Sequence, residues 1–423
     1  MNRRTLFLWS LYDFANSFVY INFLLYFSQW LIIDGSLPDY WYNILFAIAT
    51  VVLLFTAPVF AAHVDRHGGH IPPLRITTYG TFIAYGGSAL LAHFYPSSII
   101  LIAFLFLLGQ YCYQLSFVFY NPLLNEIADG KHRARASGIG QFSNSLGQVL
   151  GLVVTLPLSD SRLLPLLPAC LIFISLAWPL MYLYQEKRPR ETVLHFSTIH
   201  AEGKQYLKRL VGFFTISTAT PFLVAFFFFN DALVTVSNNY PIYMERVFAV
   251  PDTTKSLLLM GILIMSALGG ILAGYIGDRV GHLKTLRYIL IGWIILLPLI
   301  ALAPNITVLS ILTILVGSLI GSVWTVARAF LSDILPEEEL TYGFSFYTLA
   351  ERFSTFIGPL AWSGILFTLN PTPFAYRTAL FAMTGFIIIG LLILSFWKRS
   401  TGTELEYSDS ETLKAALRNR AQL

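Results

Sequence analysis

Two aspartates stand where the chain is otherwise apolar. Asp13 lies in LYDFANS and Asp231 in FFNDALVT, each inside a long hydrophobic run. At 1.5 Å per residue, each falls roughly 13–18 Å along its run, near the middle of a hydrocarbon layer about 30 Å thick. A carboxylate at that depth costs several kcal/mol unless it is paired, wetted or protonated. Such a group suits the carriage of a proton or the binding of an ammonium group. Asn16 and Asn230 stand beside the two acids, with amides that can donate to a carboxylate. The competing account is an aspartate that only bonds neighbouring helices. The complementary charge is Arg352, beside Glu351, roughly 12 Å into a later run. Its guanidinium can neutralise Asp231 or grip a carboxylate bidentately. Glu351 points about 100° away on a helix, so one of the pair faces elsewhere. Arg328, close to the end of another run, reads equally as a site residue or as an interfacial anchor.

A second set of charges repeats. Residues 61–74 read AAHVDRHGGHIPPL and residues 274–287 read GYIGDRVGHLKTLR, both carrying small-x-x-x-Asp-Arg-x-Gly. Asp65 and Asp278 are 213 residues apart, and Asp13 and Asp231 are 218 apart, each about half the chain. The sequence is therefore a tandem of two related halves. Asp65, Arg66 and Gly68, and Asp278, Arg279 and Gly281, form charged turns whose pairs can favour one conformer over another by a few kcal/mol. His63, His67 and His70 around Asp65 include an i, i+4 pair able to share an ion. The second copy has Ile276, Val280 and Leu283 there, and no cysteine or carboxylate partner is fixed nearby, so no metal is expected.

The elements that hold these residues follow from composition. Of 423 residues, 56% are hydrophobic and only 12% charged, with mean hydropathy +0.66. Soluble domains carry about 25% charged residues. The balance excludes a soluble globule, a collagen-like or disordered chain and a disulfide-stapled secreted domain. Apolar stretches fall at 6–33, 41–63, 74–95, 98–124, 136–158, 163–184, 219–243, 255–277, 285–303, 306–331, 344–369 and 374–397. Each is long enough to span as a helix. The expectation is an all-α polytopic membrane protein of twelve spans, the first of them retained and not a cleaved leader. Cys112 and Cys170 sit in apolar runs and read as packing residues.

Basic residues set the orientation. Of the 27 lysines and arginines, 21 fall on the side of the N-terminus and only Arg162, Arg246, Lys255 and Arg377 on the other. The positive-inside rule then places both termini in the cytoplasm. The organisation expected is a six-helix half over 1–184, a cytoplasmic loop over 185–215, a second six-helix half over 216–397 and a cytoplasmic tail over 398–423. The loop has the basic, amphipathic pattern of a surface-lying helix. In the tail, Ser408 and Glu411 have capping-box spacing.

The doubled GxxxDRxG turn resembles the major facilitator superfamily over essentially the whole chain. The second copy matches well; the first departs at Ala61 and at Gly69-His70. YDFANS (12–17), FND (229–231), FYNPLLNEIA (119–128), and Arg328 with ERFSTFIGPL (351–360) resemble its vacuole-effluxer-like branch, the fungal vacuolar amino-acid effluxers and their bacterial relatives. The resemblance implies two six-helix halves related by a pseudo-two-fold axis, with a midplane site and alternating access. It implies that the turn arginines reach Glu126 and Asp333 at the ends of spans four and ten. It also implies that spans five and eight, with Gly147, Gly151, Gly270 and Gly274, face each other across the halves, and that Gly358-Pro359 bends span eleven. The function expected is a proton-coupled secondary transporter of a small zwitterion such as an amino acid, in a bacterial inner membrane. Asp13, Asn16, Asn230, Asp231, Glu351 and Arg352 would bind solute or proton. The partners expected are the solute, protons and membrane lipid, with no nucleic acid and no cofactor, and the chain acting as a monomer. Export of drugs or amphipaths is the alternative within transport, although span five lacks a Gly-Pro pair. A polytopic receptor or an intramembrane enzyme is the alternative outside it.

Overall fold

A computed structural model describes residues 3–67, 69–128, 130–186, 219–335, 346, 347, 350, 351 and 353–401. Among these residues there is no strand. The expected central-loop helix, the C-terminal capping box, Gly68 and Arg352 lie outside them, as do the side chains of His63, Asp65, Arg66 and His67.

Twelve main helices stand at the places of the expected spans, and among the described residues nine helices are long and apolar enough to cross a membrane. In chain order, α1 is Arg3–Asp34, α2 Asp39–His67, α3 Ile71–Phe94, α4 Ile99–Tyr120, α5 Gly130–Thr155 and α6 Leu166–Leu183. The second six are α7 Thr220–Phe248, α8 Asp252–Val280, α9 His282–Ala301, α10 Ile306–Ile334, α11 Ile357–Leu369 and α12 Pro373–Thr401. Large apolar side chains such as Phe55, Ile83 and Ile271 point outward as a lipid-facing coat. The even number of spans brings Arg3 and Thr401 to one end of the bundle, here the terminal end; the other is the distal end.

Two helices differ from plain α geometry. Beyond Asn22, α1 widens into π turns at Phe23–Phe27 and Trp30–Asp34. Wide turns leave carbonyls poorly satisfied, and here Ser28 and Gln29 donate back to Leu24 O and Leu25 O at 2.6 Å each. Span eleven is broken. Residues 350, 351 and 353 are helical, Ser354–Phe356 are not, and the helix restarts at Ile357. Pro359 explains the position: its ring clashes with the carbonyl four residues back, that of Thr355, and it has no N–H to donate. The bend expected at Gly358-Pro359 is thus a break just before it.

Glycines set how closely helices approach. A Cβ on Gly269 would lie 1.9 Å from Ser318 O, and one on Gly321 2.0 Å from Ser266 O, so α8 and α10 touch backbone to backbone. A Cβ on Gly147 would lie 2.4 Å from Phe14 O, which brings α5 equally close to α1. Gly151 meets Phe18 and Ile21, and Gly270 meets Thr325 and Gly321. The nearest neighbours of these glycines thus lie within their own half, and α5 and α8 also meet across the halves as the resemblance implied.

Gly321→Val would drive a side chain into the Ser266 carbonyl. We expect it to cost about 1–3 kcal/mol or more, read as a lower melting temperature in detergent. Gly385→Ala, where a Cβ meets nothing within 4 Å, should leave melting unchanged or slightly raised. Equal effects would remove the close-contact account.

Candidate functional site

The break in span eleven creates the site's main polar feature. A helix that restarts inside a membrane presents backbone N–H groups that nothing in hydrocarbon can satisfy. Asp231 of α7 supplies the acceptor. Its Oδ2 accepts from Gly358 N at 2.6 Å, and the amides of Ile357 and Phe356 also face the carboxylate. The negative charge sits at the positive end of α11, where the aligned peptide dipoles favour it. Gly358 permits the approach, since a Cβ there would fall 2.4 Å from Thr235 Oγ1 and 2.8 Å from Asp231 Oδ1. Asp231 is fully enclosed, with Thr235 Oγ1 close beside its Oδ1. Water does not reach this acid in the present conformation.

Asn230 turns away from Asp231. Its Oδ1 accepts from Trp324 Nε1 at 2.8 Å, and its Nδ2 donates to Ser354 Oγ at 2.5 Å and weakly to Glu351 O at 3.4 Å. It ties α7 to α10 and to the residues before the break, and does not assist the carboxylate as its adjacency suggested. Asn16 is buried, with Nδ2 unpartnered among the described residues. Asp13, by contrast, is half-buried and accepts from Asn144 Nδ2 at 3.2 Å; Gln148 Nε2 in turn donates to Asn144 Oδ1 at 2.8 Å. The two repeat-related aspartates therefore occupy different settings, one polar and partly open, the other closed over a helix end.

The distal end holds what sequence reasoning missed. Arg162, in the turn before α6, bonds Asp34 at 3.1 Å in its own half, and Glu245 at 3.2 Å and Asp252 at 2.9 Å in the other. Lys255, fully buried, donates to Glu245, to Asp252 Oδ1 at 2.8 Å and to Gln29 Oε1 at 2.5 Å. Arg246 clasps Asp39 through two bonds of 2.9 Å, and Tyr376 donates to the same carboxylate. Deeper, Asn43 and Asn239 exchange amide bonds of 2.8 and 2.7 Å, Tyr20 donates to Asn238 Oδ1 at 2.8 Å, and Thr50 meets Thr355 at 2.7 Å, beside the break. Three of the four basic residues on this side thus lock one half to the other. The fourth, Arg377, donates to Ala301 O and Ala303 O within its half. The signal was present: scarce cations facing Asp34 and Asp252, which are 218 residues apart, the separation of Asp13 and Asp231.

At the terminal end the second turn is wired differently from the expected Arg279–Asp333 pair, whereas the Arg66 side chain lies outside the described residues. His282 bridges Asp333 at 2.6 Å and Asp278 at 3.3 Å, while the Arg279 guanidinium lies over the Tyr275 ring at 4.0 Å. Gly281 adopts φ +99°, a conformation that lets α9 begin one residue after α8 ends. Glu126 accepts from Tyr184 Oη at 3.1 Å and lies 3.9 Å from His70 Nδ1. Glu186, in the segment after α6, accepts from Ile71 N at 2.6 Å. Burial pushes the Glu186 carboxyl above its ordinary value, against the opposing Ile71 amide. Among the described residues no group of three or more metal-ligating side chains forms.

Two outcomes are expected. Gly358→Ala should push the Asp231 carboxylate off the α11 amides and lower thermal stability, whereas Gly364→Ala, which meets open space, should not. For Glu186 the folded-state value is the raised one, so its favourable contribution is full below the ordinary carboxylate value of about 4.3. That contribution is lost as pH rises through the folded value. Melting of Glu186→Gln should therefore gain on the parent protein as pH climbs through this window; a constant difference would remove the burial account.

Comparison with known proteins agrees with this architecture. The sequence profile of the Major Facilitator Superfamily matches residues 221–421. An uncharacterised MFS-type transporter, YxiO of Bacillus subtilis (strain 168), is 23% identical over 391 residues, covering 86% of each chain. An uncharacterised protein of Aquifex aeolicus (strain VF5) is 26% identical over 294 residues, 68% of this chain and 70% of its own. Among solved structures, a mutant of the nucleoside transporter NupG superposes with TM-score 0.70 at 11% identity, over 93% of this chain and 99% of its own. A bacterial homologue of the human lysosomal transporter Spinster, inward-facing and unoccupied, gives 0.70 at 13% identity, over 94% and 96%. YxiO, NupG and the Spinster homologue are each named as transporters or homologues of one. The described chain has the major facilitator fold, and its second half carries that superfamily's sequence profile.

Proposed function

We propose that the protein is a secondary active transporter of a small solute, working by alternating access. The observation that carries this is the interlock between the halves at the distal end, made of ion pairs and amide bonds. Toward the terminal end, Arg328 reaches Gln141 of the other half over a long 3.5 Å. The interlock fits a carrier closed on the distal side, and the positive-inside distribution makes the closed side the outer one. Opening outward would require the Arg162, Lys255 and Arg246 pairs to separate in water while new contacts form at the cytoplasmic turns.

Asp231 fits the role of the proton site. Ionised, it caps α11, whose neighbouring Thr355 touches Thr50 of the first half. Protonated, it loses the charge that holds the three amides and so loosens the half-helix against α2. A proton would thereby be coupled to the contact between the halves. Asp13, partly open, is the partner suited to an ammonium group, and an amino acid or similar zwitterion is the cargo this charge pattern favours. The central-loop and tail segments serve as cytoplasmic connections in this reading.

In liposomes loaded with mixed amino acids, Asp231→Asn should abolish uptake driven by an inward proton gradient yet retain exchange. Gradient-driven uptake at the parent rate in both Asp231→Asn and Asp13→Asn would remove these acids from coupling. Arg162→Gln leaves Asp252 and Glu245 short of a cation. It should raise, by about tenfold or more (about 1.4 kcal/mol per tenfold), the rate at which an impermeant external thiol reagent modifies Thr50→Cys. An unchanged rate would show that the distal network does not hold the carrier closed.

A further inference from the structure

Among the described residues, Arg328 is a cation without an acid. It lies about 9 Å, or six residues, inside the terminal end of α10. It is half-buried, and no described carboxylate reaches it within ion-pair distance. Its Nε donates to Trp324 O at 3.1 Å, one turn back, which fixes the direction of the side chain. Nη2 then extends across the boundary between the halves to the exposed Gln141 of α5, at 3.5 Å. A guanidinium offers five donors; this one spends one well and one poorly. An anchor reaching for lipid headgroups would turn toward the membrane surface, whereas this side chain crosses to the other half. Tyr347, close enough for Arg328 to act on it electrostatically, is buried with its hydroxyl unpartnered among the described residues.

The surroundings organise this charge. Trp324, whose carbonyl orients Arg328, donates through its indole to Asn230, the neighbour of Asp231. On the facing half, Gln141 lies one helical turn from Asn144, the residue bonded to Asp13. The α5 partners of Arg328 and Asp13, Gln141 and Asn144, are thus one turn apart, about 5 Å along the α5 axis.

We propose that Arg328 is the anion-recognising residue of the cleft, taking the carboxylate of the solute in place of its long contact with Gln141. This rests on the zwitterion reading above, and it moves the carboxylate-binding role from Arg352 to Arg328. A bound carboxylate would join α10 to α5 through the solute in place of the long Arg328–Gln141 bond.

Two measurements test it separately from the cargo. In a background with Cys112 and Cys170 replaced by serine, Gln141→Cys is reacted with an anionic sulfonate methanethiosulfonate and with its cationic trimethylammonium counterpart. A free guanidinium one side chain away should favour the anionic reagent, and adding Arg328→Gln should lower the anionic-to-cationic rate ratio by about fivefold. An unchanged ratio overturns the proposal whatever the cargo. Next, thermal shifts are read with the twenty L-amino acids and their carboxamides. A stabilising acid should outperform its amide, Arg328→Gln should erase that preference, and Arg328→Lys should keep part of it. A preference that survives Arg328→Gln overturns the proposal. A rate ratio that falls while no amino acid stabilises the parent protein supports Arg328 as the anion-attracting group and overturns the amino-acid reading.

Discussion

A helix cannot begin inside a membrane without something to accept from its first amides. That constraint governs the second half of this protein. Pro359 breaks span eleven, the break exposes donors in a place without water, and Asp231 answers them from a neighbouring helix. The answer is an ionisable one. A serine or asparagine could cap the same end; a carboxylate makes the cap depend on a proton. Gly358 is then obligatory for space, Thr235 for shape, and Asn230 is left to fasten α7 to α10. One missing N–H thus accounts for the placement of most polar atoms around the second-half site.

The distal lock follows a different logic. Charges buried together stabilise little on balance, because desolvation offsets attraction, yet removing one partner is costly. Such a network contributes less to stability than to definition: it makes the closed arrangement sharply distinct from a half-open one. Lys255 shows this most clearly, with three oxygen partners and no exposure. At the terminal end, His282 bridges Asp278 and Asp333 and so fastens the α8–α9 turn to the end of α10 within the second half.

Much of this was legible in the sequence. Span number and the half-chain repeat came from hydropathy and from two aspartate separations, because membrane helices must be long and apolar and repeats keep their spacing. Asp13 and Asp231 stood out for the same reason. Spacing could not reveal that Asp231 faces the backbone amides of span eleven, since a cap formed across helices has no sequence signature. Gly147 and Gly270 were recognisable as close-approach residues, but not which helix each would meet. Arg162, Arg246 and Lys255 were counted for orientation alone; their role needed the loops of both halves brought together.

The wide turns of α1 carry a final consequence. A π turn holds one more residue than an α turn, and it can migrate along a helix by exchanging one hydrogen bond at a time. The first, Phe23–Phe27, separates the part of α1 that bears Asp13 from Gln29, and the second, Trp30–Asp34, ends at Asp34. The helix therefore joins a wide-turned distal third to an α-helical inner part seated against α5. Such a joint would let the ends of one span answer to different partners at different moments, without the span ever coming apart.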